Sequence, residues 1–257
     1  MCIVDDDSAC LPLGLLERFH NLEYLLLGYS SYIEIFSNEA GYLEKEVGKF
    51  AVAPIKHLQL VYLNHLKQLW KQDSKLDSIG QHLEILRSIA SSSISFRNLK
   101  ELQAVGCKGL KHLVTSTTAK SLEGLISMKI FGCRAMTEVV VSDQEEDGAP
   151  NLELKQEVVF SKLKRLDLCD LDSLTSFCPA NYAFKFPSLQ DLSVIGCPKL
   201  KIFTTGTEEL RTPPRVNVWY GERDDQLRWA SNDLNTTIQQ LHLEKLLEGS
   251  SSYSMQY

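Results

Sequence analysis

The sequence lacks the features that would direct it to nucleic acid or to a membrane. Its formal net charge is −6, so there is no overall basic excess to attract a polyanion. No uninterrupted apolar run reaches the roughly 18 residues that a membrane span needs. The first ten residues, MCIVDDDSAC, carry three aspartates where a secretory signal would need an apolar core. We therefore expect a soluble, cytoplasmic chain with no nucleic-acid partner and no membrane span.

The common catalytic and cofactor-binding motifs are also missing. The sequence contains no G-x-x-x-x-G-K-[ST] loop, G-x-S-x-G elbow, H-E-x-x-H helix or G-x-G-x-x-G turn. His57, His65 and His112 have no second close ligand pair to complete a metal site, so we interpret them as exposed or turn residues. The sequence predicts no enzyme activity, no catalytic residues, no cofactor and no metal.

What the sequence does contain is a repeated apolar spacing. From Phe186 to Phe203, FPSLQDLSVIGCPKLKIF, apolar or small residues occupy places 1, 4, 7, 9, 12, 15 and 18. Further copies start at Phe19, Val52, Phe96, Leu122 and Phe160, and only Ser30 breaks the pattern. The alternation at places 7 and 9 indicates a short strand, and the later steps of three suit a turn that returns the chain.

This spacing is typical of the leucine-rich repeat. It predicts an α/β solenoid, a horseshoe with a parallel concave sheet and a mostly irregular or short-helical convex side. We expect an N-terminal lead-in or cap over residues 1–18, six clear copies and a degenerate one near 80–95 within residues 19–203, and a C-terminal cap and disordered tail over 204–257. The last region is predicted to hold a strand at 216–219 and a helix over 233–247.

The seven cysteines do not suggest a disulfide framework or a zinc site. Cys107, Cys133 and Cys197 share one repeat position and are 26 and 64 residues apart, whereas zinc sites use close pairs. We expect them to form a buried ladder in which each thiol is a weak donor to turn carbonyls. The glycine before each of them is predicted to have a positive φ at a sharp bend.

The strand residues that alternate with the buried leucines are predicted to line the concave face. Solenoids use such faces for protein contacts. Phe131 and Arg165 are the candidate anchors, because aromatic residues and arginine dominate binding hot spots. The candidate protein-binding residues are Glu101, Gln103, Ser127, Lys129, Phe131, Arg165, Asp167, Asp191, Ser193 and Ile195, and Tyr24, Leu26, His57 and Gln59 extend the face toward the N-terminus.

Four phrases are more specific than the generic repeat: FRNLKELQAVGCKGLKHLVTSTTAKSLEGLISMKIFGCRAMTEVV, VVFSKLKRLDL, FPSLQDLSVIGCPKLKIF and DLNTTIQQLH. Over roughly residues 52–247 the sequence resembles the leucine-rich-repeat region of plant disease resistance proteins of the coiled-coil, nucleotide-binding, leucine-rich-repeat (NB-LRR) class. The resemblance implies recognition of pathogen effectors or effector-modified host proteins, and restraint of a nucleotide-binding switch. It does not extend to the coiled-coil and nucleotide-binding parts, where ATP/ADP exchange takes place.

These observations favour a non-catalytic protein-recognition module of plant innate immunity. Its partner would be a pathogen effector or a host guardee, together with a nucleotide-binding domain in cis or in trans. The alternative is a general intracellular leucine-rich-repeat scaffold or the substrate adaptor of a ubiquitin ligase. A third hypothesis, an enzyme, predicts a pocket with convergent titratable groups.

Overall fold

The computed structural model describes residues 1–9, 11, 19, 21–36, 55–70, 96–142, 156–178, 182–203, 216–221, 228–230 and 234–252. The strands of this part of the chain are β1 (Cys2–Val4), β2 (Tyr24–Gly28), β3 (Glu34–Phe36), β4 (His57–Val61), β5 (Gln68–Trp70), β6 (Glu101–Val105), β7 (Val114–Thr115), β8 (Ser127–Phe131), β9 (Val140–Val141), β10 (Gln156–Val159), β11 (Arg165–Cys169), β12 (Tyr182–Lys185), β13 (Asp191–Ile195), β14 (Val216–Gly221) and β15 (Arg228–Ala230). The α-helices are α1 (Ser116–Ser121) and α2 (Leu234–Ser252), and a 3₁₀ helix spans Phe96–Asn98. The degenerate copy predicted near 80–95 lies outside the described residues.

One large sheet organises the described residues. Its strand order is β1-β2-β4-β6-β8-β11-β13-β14-β15, and all neighbours are parallel except β14 and β15. Equivalent residues of successive copies pair directly, as Leu102 pairs with Met128 and Met128 with Leu166. Because the register is in step, the sequence repeat becomes a ladder of stacked, like side chains, which confirms the predicted pairing of the copies.

The repeated apolar positions form the core. From Ile55 to Phe203, every template side chain that the structure describes is buried. Like residues also stack between copies at the aromatic positions. The rings of Phe160 and Phe186 lie 5.4 Å apart and nearly parallel, and those of Phe177 and Phe203 lie 5.0 Å apart. Such contacts add to the hydrophobic free energy of the buried ladder.

The side of the core opposite the large sheet is more extended than predicted. Short parallel pairs form between β3 and β5, between β7 and β9, and between β10 and β12. Their inward residues, among them Ile35, Val114 and Phe184, belong to the same core as the large sheet. Since the return segments of neighbouring copies run side by side, their backbone groups pair with each other and satisfy their hydrogen bonds. Helix α1 is the short helical element expected on this side.

The first copy departs from the template on both sides of β2. Phe19 and Ile33, both predicted to be buried, are 45% and 44% exposed, while Tyr32 and Ile35 are fully buried. The turn that follows Ser30 is one residue shorter than in the second copy, so Tyr32 takes the inward place. Its hydroxyl donates to Asp6 Oδ2 at 2.6 Å, and this hydrogen bond lowers the pKa of the Asp6 carboxyl.

The two ends of the described ladder carry additional elements. At the first end, β1 pairs in parallel with β2. At the other, β14 continues the parallel register from β13 and includes the predicted 216–219 strand. Helix α2 begins at Leu234, within the segment predicted to be helical, and continues past residue 247 to Ser252. Its residues Leu234, Ile238 and Leu241 are buried. No described helix combines the length and the apolar composition that a membrane crossing requires.

Candidate functional site

The strand face turned away from the core, here called the open face, presents three rows of side chains. In-step pairing places one residue in every row from each of the seven strands β2, β4, β6, β8, β11, β13 and β14. The first row is Tyr24, His57, Glu101, Ser127, Arg165, Asp191 and Asn217. The middle row is Leu26, Gln59, Gln103, Lys129, Asp167, Ser193 and Trp219. The last row is Gly28, Val61, Val105, Phe131, Cys169, Ile195 and Gly221.

All ten candidate binding residues lie on this face. The structure brings them together on four neighbouring strands, β6, β8, β11 and β13, in the alternation that the spacing predicts. The most exposed of them include Phe131, which is 38% exposed, and Arg165, whose side chain is 55% exposed. Their proximity makes one contiguous surface; their role in binding stays a prediction.

Polar side chains in the first row pair along the row. His57 Nδ1 lies 3.2 Å from Glu101 Oε2, and an Arg165 guanidinium nitrogen lies 3.7 Å from Asp191 Oδ2. Asn217 Nδ2 donates to the other oxygen of Asp191 at 2.9 Å. At such exposure these contacts contribute little to folding stability, so the charged ends remain able to exchange partners with a ligand.

The middle and last rows differ in polarity. In the middle row, the Ser193 hydroxyl donates to Asp167 Oδ1 at 2.8 Å, whereas Lys129 makes no ion pair with any described residue. The last row is apolar, with Val105, Phe131 and Ile195 among its members. Side chains on this face therefore pair laterally instead of converging on one point.

Among the described residues, no group of three or more His, Cys, Asp or Glu side chains is placed to hold a metal ion.

A left-handed turn follows the strands of the large sheet. Gly106, Gly132 and Gly196 have φ of +64°, +66° and +63°, which confirms the bend predicted at these glycines. The same turn position carries Tyr29 and Tyr62 in the first two copies, with φ of +52° and +51°. The backbone N–H of the turn residue donates to the last carbonyl of the next strand at Tyr29, Tyr62, Gly106 and Gly132. The distance from Tyr62 to Val105 is 2.7 Å. Sequence reasoning missed these two tyrosines, although aligning the copies places them opposite the glycines.

The cysteine ladder behaves as predicted. Cys107, Cys133 and Cys197 are buried, and each thiol lies within hydrogen-bonding distance of the carbonyl two residues before it, at 3.7, 3.7 and 3.5 Å. Ser30, which breaks the apolar pattern, makes the equivalent bond to the Gly28 carbonyl at 2.8 Å. A hydroxyl therefore replaces a thiol as the donor at this position, which explains why the one polar residue of the template is tolerated.

The ladder thiols are expected to resist alkylation in the folded protein. Burial raises the pKa of the Cys197 thiol to about 12, so almost no thiolate forms at about pH 8. With iodoacetamide followed by peptide mass spectrometry, exposed Cys2 should be modified quickly, and Cys107, Cys133 and Cys197 only after denaturant is added. Rapid native labelling of the three buried thiols at the rate of Cys2 would contradict their burial.

The parallel sheet with its in-step register is compatible with an α/β leucine-rich-repeat fold. A family model described as plant disease resistance protein RPS2-like, leucine-rich repeats, matches residues 78–209. The match spans just over half of the sequence, and the chain belongs to this family. Searches of curated proteins and of solved structures found no match. Leucine-rich repeats of resistance proteins are typically non-catalytic interaction modules, so membership suggests a defence-related recognition module.

Proposed function

We propose that the chain is a non-catalytic protein-recognition module of plant innate immunity. It senses pathogen effectors or modified host proteins, restrains a nucleotide-binding switch of the NB-LRR type, or does both, in the cytoplasm. The observation that carries the proposal is the open face itself: consecutive parallel strands present aligned polar and apolar rows over a continuous core. Membership of the disease-resistance repeat family supplies the biological context.

The proposed architecture is a leucine-rich-repeat solenoid, a horseshoe whose concave wall is the open face. Residues 19–203 form the repeats, residues 1–18 the lead-in or cap, and residues 204–257 the C-terminal cap and tail. Support comes from the end elements: β1 extends the first described edge of the sheet, and the antiparallel pairing of β15 with β14 ends the parallel array at the other. Terminal elements of this kind protect the end repeats of solenoids.

Within the open face, Phe131 and Arg165 are the proposed anchors for the partner. Phe131 presents an aromatic ring that is 38% exposed, one strand from the Arg165 guanidinium. The long 3.7 Å contact with Asp191 leaves that guanidinium free to form a better, bidentate bond with a partner carboxylate. Lys129, in the next row of β8, adds a second positive charge. The centre of the face thus suits an acidic, apolar surface patch on a protein.

Proximity labelling in plant leaves tests this function. The chain fused to a labelling enzyme is expected to mark a pathogen effector, a guarded host protein or a nucleotide-binding domain. In Lys129→Glu/Arg165→Glu, the labelling of that protein should fall by about tenfold, since both charges are reversed where the partner contacts them. Lys111→Glu, an exposed change outside the open face, is the matched control.

The outcomes separate the candidate functions. Loss of labelling in the double variant, with the Lys111→Glu chain unaffected, supports recognition through the open face. Labelled proteins that are the same for all three chains would count against it. A labelled set made up of ubiquitin-ligase subunits, with no defence protein, would favour the adaptor hypothesis instead.

A further inference from the structure

Two tyrosines stand at a backbone position where glycine is the expected residue. Tyr29 and Tyr62 follow β2 and β4 with φ of +52° and +51°, as Gly106, Gly132 and Gly196 do in later copies. A bulky L-residue with positive φ is a true outlier, because its Cβ crowds the backbone. The fold therefore accepts strain at Tyr29 and Tyr62 that glycine would have avoided.

The rings of these tyrosines are not buried in the core, so core packing does not offset the strain. Tyr29 is 59% exposed and Tyr62 is 42% exposed. Their ring centroids lie 5.2 Å apart with a tilt of 33°, so the two form an exposed aromatic pair. The ring of Tyr62 rests on Gly106, where an added Cβ would come within 2.5 Å of two ring carbons. Backbone strain kept at a solvent-facing position points to a binding role.

The surroundings of the aromatic pair specify the charge of a ligand. Asp5 continues the same row beside Tyr29, because Val4 pairs with Gly28 and the Asp5 N–H donates to the Gly28 carbonyl at 3.3 Å. Asp5 and Asp7 are both exposed, and no ion pair joins either of them to a described residue. Among the described residues, no cation lies over the ring of either tyrosine. A cation beside Asp5 would find there a carboxylate and the ring of Tyr29, which Tyr62 supports from the other side.

On its other side the aromatic pair adjoins the apolar last row of the open face. Val61 precedes Tyr62 directly, and Val105 and Phe131 follow in the same row. A ligand segment that crosses these strands would therefore be basic beside Asp5 and apolar over Val105 and Phe131.

We propose that the Tyr29–Tyr62 pair binds an arginine or lysine side chain of a protein partner, with apolar residues of the same segment lying along the last row. The inference rests on the proposed protein-recognition function and specifies one part of its ligand. Arginine fits best, because its planar guanidinium stacks on aromatic rings while it pairs with a carboxylate.

Selection from a phage-displayed library of random linear peptides tests the inference. The full chain is the bait, and enriched peptides are synthesised and titrated at low and physiological salt. They are expected to share an arginine or lysine next to apolar residues. Their affinity should fall at least about tenfold in Tyr29→Ala/Tyr62→Ala and be retained in Tyr29→Phe/Tyr62→Phe, which keeps both rings. In Asp5→Asn the affinity should fall less, and its salt dependence should weaken.

Circular dichroism of each variant checks that a loss of binding is not a loss of folding. Tyr29→Gly/Tyr62→Gly is a second safeguard, because it removes both rings and suits the positive φ at both positions. It should bind as weakly as the double alanine variant.

Peptides that bind the double alanine variant as well as the parent chain overturn the inference, and so do enriched peptides that are acidic. If such peptides instead lose affinity in Arg165→Glu, the open face still recognises protein and only the role of the tyrosines is wrong. Dimerisation of the chain that disappears in the double alanine variant would assign the pair to a second copy and also overturn the inference. A selection that enriches no peptide counts against both proposals.

Discussion

Leu102→Asp is expected to unfold the chain or to lower its free energy of unfolding by at least about 5 kcal/mol, whereas Gln103→Asp should change it by less than about 1 kcal/mol. The two residues are neighbours on β6 and point to opposite faces. Leu102 is fully buried between Leu58 and Met128 of the adjoining strands. An aspartate there removes the packing of a leucine and buries a carboxylate that has no partner.

Gln103 is a matched control because it shares the strand and the distance from the chain ends. It is half-buried in the middle row, where its neighbours are Gln59 and Lys129. A carboxylate at this place meets water and a nearby ammonium group. Denaturant unfolding followed by circular dichroism, with limited proteolysis as a second probe, gives the comparison. Equal stability of the two variants would refute the division of β6 into a core side and an open side.

The same contrast on β13 is expected to be smaller. Leu192→Asp repeats the burial of a charge, since Leu192 is fully buried. Ser193→Asp, however, replaces a hydroxyl that donates to Asp167 Oδ1 at 2.8 Å. The new carboxylate would face Asp167 and have Asp191 on its own strand, so it loses a hydrogen bond and gains repulsion. The loss in the free energy of unfolding for Ser193→Asp should lie between the losses for Gln103→Asp and Leu192→Asp.

Much of the fold could be predicted because one physical rule repeats. A period of two at template places 7 and 9, as at Leu192 and Val194, determines which strand residues face inward. In-step pairing then follows from the repetition, because identical spacings bury their leucines only when the copies align. For the same reason the ten candidate residues could be assigned to one face before their contacts were known.

The sequence-based prediction was wrong about which residue is buried after Ser30, and it missed the short strand pairs opposite the large sheet. After Ser30, Tyr32 and Ile33 are both hydrophobic, and only the length of the turn decides that Tyr32 is buried. The ladder of β7 and β9 involves two residues from each strand, which is too few to produce a recognisable alternation. Its partners come from different copies, so nothing local in the sequence distinguishes them from an irregular return.

The candidate site was predictable in its position but not in its chemistry. Alternation indicates that Arg165 and Asp191 share a face, but only the register makes them neighbours. The aromatic pair was missed for a related reason. Tyr29 and Tyr62 stand at the glycine position of the template, and a tyrosine there would normally argue against a left-handed turn. Only the backbone angles show that the turn is kept and that both rings are exposed as a result.

Gly124→Ala is expected to lower the free energy of unfolding strongly, because Gly124 lies in close contact with the preceding copy. A Cβ built on Gly124 would lie 2.4 Å from the backbone carbonyl oxygen of Arg97 and 3.2 Å from that of Leu99, in the preceding copy. Backbone atoms cannot rotate away as a side chain can, so Gly124→Ala forces the two copies apart. We expect a loss of about 3 kcal/mol in the free energy of unfolding, at the upper end for overpacking.

Gly132→Ala provides the comparison that separates steric contact from backbone strain. Gly132 has a φ of +66°, but a Cβ there would meet nothing nearer than 3.8 Å. Its cost should therefore be that of a left-handed alanine alone, about 1 kcal/mol. Denaturant unfolding of both variants measures the difference. If Gly132→Ala proved the more harmful, the left-handed turns would limit stability more than the spacing of the copies does, and the strain at Tyr29 and Tyr62 would be correspondingly more costly to the fold.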